Sequence, residues 1–185
     1  NFVAQLPDDV RSRGVIIYSS GNHAQAVALA AQLHDTRSVV VMPISSPEVK
    51  RDGAERLGAE VVLEGTTSLE RRVRAESIAE ERGLVMVPPF DDPTIIAGQG
   101  TVGLEIAEDW DALDLVLVPI GGGGLCSGTA AALRRLRPDV QIFGVEPTGG
   151  AAMKAARRRS RRAGRSRLIA PSPSRTAFCR CGPAS

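Results

Sequence analysis

Two short glycine-containing turns carry the residues best suited to chemistry. The first reads Ser19-Ser20-Gly21-Asn22-His23-Ala24-Gln25. Small hydroxyl residues after an apolar run and before a helical pattern place backbone N–H groups at the positive end of a helix dipole, an arrangement suited to a carboxylate or phosphate. The same residues also fit an ordinary helix cap, Ser with Asn. The second turn is Pro119-Ile120-Gly121-Gly122-Gly123-Gly124-Leu125. Four successive glycines let the backbone approach a ligand without Cβ interference, and their N–H groups can converge on an anion. No Lys-Ser/Thr follows, so this is not a Walker A loop, and a flexible linker would not sit between an apolar strand and an apolar helix. Together the turns predict a ligand with phosphate at one end and an acidic or polar group at the other. Such a ligand belongs at the carboxyl edge of a parallel sheet, with both turns facing one cleft.

The elements that must position these turns are legible from periodicity. Strands are expected at Gly14–Tyr18, Val39–Met42, Glu60–Leu63, Leu84–Val87, Leu115–Pro119 and Gln141–Glu146, each short, rich in Val and Ile and nearly without polar alternation. Between them Asn22–His34 sets Ala24, Val27, Ala28 and Ala31 in one apolar stripe. Helices are also expected over Pro47–Leu57, Ser68–Arg82, Pro93–Trp110 and Leu125–Leu136, with Gly58 and Gly83 as stops. Strands separated by helices imply an α/β fold with mainly parallel sheets.

Composition narrows the class. The chain has 185 residues, 43% of them hydrophobic and 24% charged, enough for a real core and too apolar for wholesale disorder. No apolar run reaches the ~20 residues of a membrane span. Three cysteines make no disulfide scaffold, which favours a reducing cytoplasm. The net charge of +2 conceals a split: nine arginines and no acid fall in residues 157–185, leaving 14 basic against 21 acidic residues elsewhere. This Arg- and Ser-rich tail sustains no period and reads as disordered or as the product of a shifted reading frame. Nucleic-acid binding through the tail is disfavoured because no aromatic platform accompanies the charge, and Cys179-x-Cys181 alone makes a weak zinc site.

Seven motifs in order carry a family resemblance. They are Ser19–Gln25; Pro43 with Pro47 and Lys50; Gly58-Ala59-Glu60-Val61-Val62; Pro88-Pro89-Phe90-Asp91; Ala97-Gly98-Gln99-Gly100-Thr101; Gly121–Leu125; and Gly144-Val145-Glu146-Pro147. Across residues 1–156 the sequence resembles the pyridoxal-phosphate-dependent threonine/serine dehydratases (threonine ammonia-lyases) and the related serine racemases. The resemblance implies a fold-type II, tryptophan synthase β-like architecture with pyridoxal 5'-phosphate as cofactor. It divides the chain into a large-domain remnant (1–13), a small α/β domain (14–90), a partial large domain that binds the cofactor (91–156) and the tail (157–185). It assigns Gly121, Gly122, Gly123, Gly124 and Leu125 to the cofactor phosphate and Asn22 to the pyridoxal 3'-oxygen. Ser19, Ser20, Gly21, Asn22 and His23 would grip the carboxylate of L-threonine or L-serine. Ser20 would be the catalytic base on the ring face opposite the Schiff-base lysine, with His23 a structural hydrogen-bonding group.

The implied activity is dehydration to a 2-oxo acid and ammonia. Serine racemisation, or a catalytically dead cofactor or amino-acid binder, are the alternatives. The full-length form is expected to be a homo-oligomer away from membranes. Departures from the pattern point to an inactive or impaired fragment. The K-x-R-G-A stretch that holds the family's Schiff-base lysine is absent, and Lys50 and Lys154 stand elsewhere. Glu146 has Ala152 where an acidic partner would complete a metal site, so no metal is assigned.

Overall fold

The computed structural model describes residues 1–150, Met153, Ala155 and 176–180. The chain forms two compact units, Asn1–Pro89 and Phe90–Ser185. Asn1–Arg13, expected to belong with the second unit, group with the first. They form two single-turn helices that periodicity cannot reveal, α1 (Phe2–Gln5) and α2 (Asp8–Arg11). The hydroxyl of Thr36 and Nε of Arg37 bond the carbonyls of Arg11 and Arg13 and tie this segment to its neighbours.

The first unit is built on four parallel strands: β1 (Val15–Tyr18), β2 (Ser38–Met42), β3 (Ala59–Leu63) and β4 (Val85–Met86), in the order β3-β2-β1-β4. The crossovers are α3 (Asn22–Leu33), α4 (Glu48–Arg56) and α5 (Ser68–Arg82). All five residues of the central β2 are buried, the reason its sequence shows no polar alternation. The α3 stripe of Ala24, Val27, Ala28 and Ala31 is buried as its spacing requires. Helix α5 opens on a capping box, Thr67 with Glu70, and ends at Gly83, whose φ of 66° is the left-handed stop a Cβ would strain. Its inner face joins Ile16, Val39, Val41 and Leu84 through Ala75 and Ile78.

The second unit contains α6 (Pro93–Asp109), β5 (Leu115–Pro119), α7 (Gly124–Leu136) and β6 (Gln141–Pro147), then a 3-10 turn at Thr148–Gly150 and β7 (Thr176–Arg180). Strands β5 and β6 are parallel, and β7 pairs antiparallel to β6, the one exception to the expected parallel arrangement. Thr176–Arg180 lie in the tail for which no element was expected; the rest of that tail lies outside the described residues. Helices α6 and α7 approach very closely. A Cβ added to Gly128 would stand 2.2 Å from the Ile96 carbonyl oxygen, and one on Gly103 would stand 2.7 Å from that of Thr129. The core here is Val118, Ile120, Cys126, Ala130, Leu133, Val140 and Ile142. Arg137 satisfies the open end of α6 by donating to the carbonyls of Ala107 and Trp110 at 3.0 and 2.7 Å and to that of Asp111. Among the described residues no helix is long and apolar enough to cross a membrane.

Candidate functional site

The serine-containing turn leaves the carboxyl end of β1, where Ser19 continues the ladder by donating its N–H to Val41 at 3.0 Å. The N-cap of α3 is Gly21, and no side chain caps the helix. The ordinary cap that the sequence also allowed is therefore not formed: the Ser19 hydroxyl accepts instead from the Gly21 amide at 3.4 Å. The amides of Asn22, His23 and Ala24 donate to no group among the described residues. Three open N–H groups at the start of a twelve-residue helix make a positive, anion-ready end. Ser20 and Asn22 are exposed there, and Gly21 is buried.

Side chains from the surrounding elements fix this turn. His23 donates from Nε2 to the Pro88 carbonyl at 3.3 Å, bracing the turn against the segment after β4. Burial holds the His23 pKa below its usual 6.5, partly offset by that bond, so the ring is a neutral brace at physiological pH. Gly21 is needed for close approach: an added Cβ would stand 2.9 Å from Nζ of Lys50, which reaches over from α4. From α5, Arg71 donates from Nη2 to the hydroxyls of Ser20 (3.4 Å) and Ser68 (3.1 Å).

Lys50 and Arg71 were not among the candidate site residues. Arg71 carried a readable signal, because Arg71, Ala75 and Ile78 fall at i, i+4 and i+7 and all three are buried. A cation on an apolar helical stripe is uncommon enough to mark a functional position.

The tetraglycine turn leaves the carboxyl end of β5 and opens α7. Ile120 donates to the Val145 carbonyl at 2.8 Å, and the amides from Gly121 through Leu125 then donate to no group among the described residues. Gly123, the N-cap, has φ 98°, the left-handed conformation that favours glycine. Phe90 forms the wall of the turn. A Cβ on Gly122 would meet its ring at 2.1 Å, and one on Gly124 would meet its carbonyl oxygen at 2.9 Å. Around Gly121 a Cβ would meet nothing within 4 Å. The result is a row of open amides with one unobstructed side, backed by a helix dipole, and it fits a phosphate group.

Glu146 is buried and accepts the Met153 amide at 2.8 Å. Among the described residues no group of three or more His, Cys, Asp and Glu side chains could hold a metal ion.

Comparison with known proteins agrees with this geometry. Residues 1–183 match the family of pyridoxal-phosphate dependent enzymes. The chain belongs to that family. It is 48% identical over 154 residues to the biosynthetic chloroplastic threonine dehydratase of Arabidopsis thaliana, covering 83% of this chain and 26% of that protein. Threonine deaminase isoform 2 of Solanum lycopersicum, in its processed form, superposes with a TM-score of 0.78 at 41% identity, over 86% of this chain and 47% of that one. Maize serine racemase also gives 0.78, at 36% identity over 95% and 51%. The chain thus spans about a quarter to a half of the length of these relatives. The fold is the α/β, fold-type II arrangement of the family, in part.

Proposed function

We propose that this chain is the cofactor- and substrate-gripping part of a threonine/serine dehydratase that yields a 2-oxo acid and ammonia. The observation that carries this reading is the row of open amides from Gly121 to Leu125 ahead of α7. Those amides would hold the phosphate of pyridoxal 5'-phosphate, and the absence of Cβ atoms keeps them accessible. Asn22, exposed at the head of α3, would be the side chain that hydrogen-bonds the 3'-oxygen of the cofactor. When bound, the cofactor supplies an electron sink that makes the substrate Cα–H acidic.

The remaining chemistry belongs to the serine-containing turn. The substrate carboxylate would lie on the open amides at the head of α3, those of Asn22 and His23 among them, with Ser19 and Gly21 shaping the turn and the His23 ring acting as a brace and not as a proton shuttle. Ser20 accepts or returns the Cα proton from its hydroxyl oxygen, and Arg71 holds that oxygen in place. A reducing cytoplasmic setting accords with the buried free thiol of Cys126, and the longer protein would assemble as a homo-oligomer.

The family's lysine stretch is missing, so the 185 residues alone are expected to bind ligands with little or no turnover. The test follows 2-oxobutyrate from L-threonine with pyridoxal phosphate added. Turnover is expected when the chain is joined to a lysine-bearing upstream segment and a complete large domain, and not from the 185 residues alone. A joined protein that makes no 2-oxo acid from threonine or serine contradicts the reading. The Ser20 hydroxyl and the likeness to maize serine racemase favour a second reading, racemisation, in which a proton would be returned to Cα on the face opposite to the one that lost it. Chiral analysis of recovered serine separates the two.

A further inference from the structure

Phe90 is 42% exposed and stands outside the core of the second unit. Its ring lies instead on the backbone of the tetraglycine turn. The glycines of that turn meet different surroundings. Among the four, Gly123 takes a left-handed φ, so its conformation by itself favours glycine. Beside Gly121 an added Cβ meets nothing, which leaves that side open to a ligand. Gly122 and Gly124 take no positive φ. A Cβ on Gly122 would stand 2.1, 2.2 and 2.7 Å from Cδ1, Cγ and Cε1 of the Phe90 ring, and one on Gly124 would stand 2.9 Å from the Phe90 carbonyl oxygen. Two of the four glycines are therefore explained by the approach of Phe90.

The neighbours of Phe90 fix its position. Asp92 caps α6 by accepting the amides of Thr94 and Ile95 at 2.8 and 3.2 Å, with Pro93 opening the helix. One turn beyond Gly124 in α7, Gly128 admits the Ile96 carbonyl. The starts of α6 and α7 thus lock together, and Phe90 reaches the turn from a firm support. Inside the turn no hydrogen bond does the same. The β5–β6 ladder ends with the Ile120 amide on Val145, and the next bond is from the Ser127 amide to the Gly123 carbonyl. Neither the amide nor the carbonyl of Gly121 or Gly122 is bonded among the described residues. Successive glycines without such bonds have the widest backbone freedom a chain can have, and a ligand that must order them loses affinity. We propose that Phe90 is a positioning residue for phosphate binding: its ring, seated on the bare face of Gly122, holds the amides of Gly121–Leu125 in the anion-ready conformation before the ligand arrives. This inference rests on the phosphate-binding role assigned to the turn above.

The experiment titrates the isotopically labelled chain with inorganic phosphate well below its melting temperature. The amide shifts of Gly121–Leu125 give the affinity, and relaxation gives the backbone order parameters of the free chain. Phe90→Ala should weaken phosphate binding about tenfold, the scale of one backbone residue left for the ligand to order. In the same variant the order parameters at Gly121 and Gly122 should fall from about 0.85, the value of rigid backbone, to below about 0.6. Phe90→Tyr keeps the ring and should restore both readouts. Gly122→Ala puts a methyl where the ring lies and should also weaken binding about tenfold. In the Phe90→Ala background the same substitution should weaken binding no further, because the ring it would displace is gone. A phenylalanine with only a structural role would lower the melting temperature of Phe90→Ala and leave affinity and order parameters unchanged. That result, or additive losses in the double variant, overturns the inference alone. Should Phe90→Ala fail to fold, Gly122→Ala decides, and native affinity in that variant overturns the inference. Absence of any saturable shift at Gly121–Leu125 in the native chain overturns the phosphate role of the turn, and the inference with it.

Discussion

The two anion-ready turns are built on opposite principles. The serine-containing turn is shaped by side chains that converge on it, with His23 braced on Pro88, Lys50 crowding Gly21 and Arg71 under Ser20. The tetraglycine turn is shaped by side chains that are absent, so that Phe90 can press against Gly122 and Gly124 while the amides stay open. The supporting sheets differ in the same sense. Val15, Ile16 and Ile17 of β1 are fully buried, whereas Leu115 and Leu117 of β5 are 46% and 54% exposed. One turn therefore stands on a well-filled core and depends on chemistry supplied from α4 and α5. The other depends on backbone geometry and on the close α6–α7 contact. Substitutions should separate them cleanly.

The largest contrast is expected in the sheets. Ile17→Ala removes a fully buried side chain and should cost about 2–5 kcal/mol in denaturant unfolding of the first unit. Leu117→Ala, on the half-exposed β5, should stay within about 0.5 kcal/mol. Comparable losses at the two positions would break the comparison. Next in size, Gly124→Ala forces a Cβ onto the Phe90 carbonyl and should destabilise the second unit by about 1–3 kcal/mol. Gly121→Ala meets nothing and should leave unfolding almost unchanged while weakening phosphate binding.

The smallest effect is on pH dependence. Glu70 is held down to about 2 from 4.5, first by the Thr67 backbone N–H, then by the Thr67 hydroxyl and the Thr66 N–H. Because the folded value lies below the unfolded one, this carboxylate stabilises the α5 cap above about pH 4.5, and the contribution is lost as pH falls from there towards 2. The protection of the Thr66 and Thr67 amides, taken against the intrinsic exchange rate at each pH, should fall over that window in the native chain and show no such step in Glu70→Gln. The tetraglycine turn should be indifferent to both.

Much of this was legible in the sequence because it rests on local rules. All six expected strands form, α5 occupies Ser68–Arg82 as its pattern and Gly83 require, and both turns sit at strand ends ahead of helices. What escaped was set by contacts distant along the chain. The single-turn helices α1 and α2 are too short to show a period and depend on Thr36 and Arg37 for support. Strand β7 pairs with β6, about thirty residues back in the chain, inside a stretch whose arginine content conceals Thr176–Arg180. Arg71 lies 51 residues from the serine it supports, so only its place on an apolar stripe could have betrayed it.

The central claim is that the open amides after Ile120 bind the phosphate of pyridoxal phosphate. Its most direct test is amide chemical-shift mapping of the isotopically labelled chain during titration with that cofactor, with inorganic phosphate as competitor. Saturable shifts at Gly121, Gly122, Gly123, Gly124 and Leu125, reversed by phosphate and lost in Gly121→Val, are the predicted result. Saturation of the chain by the cofactor with those five amides unmoved would contradict it.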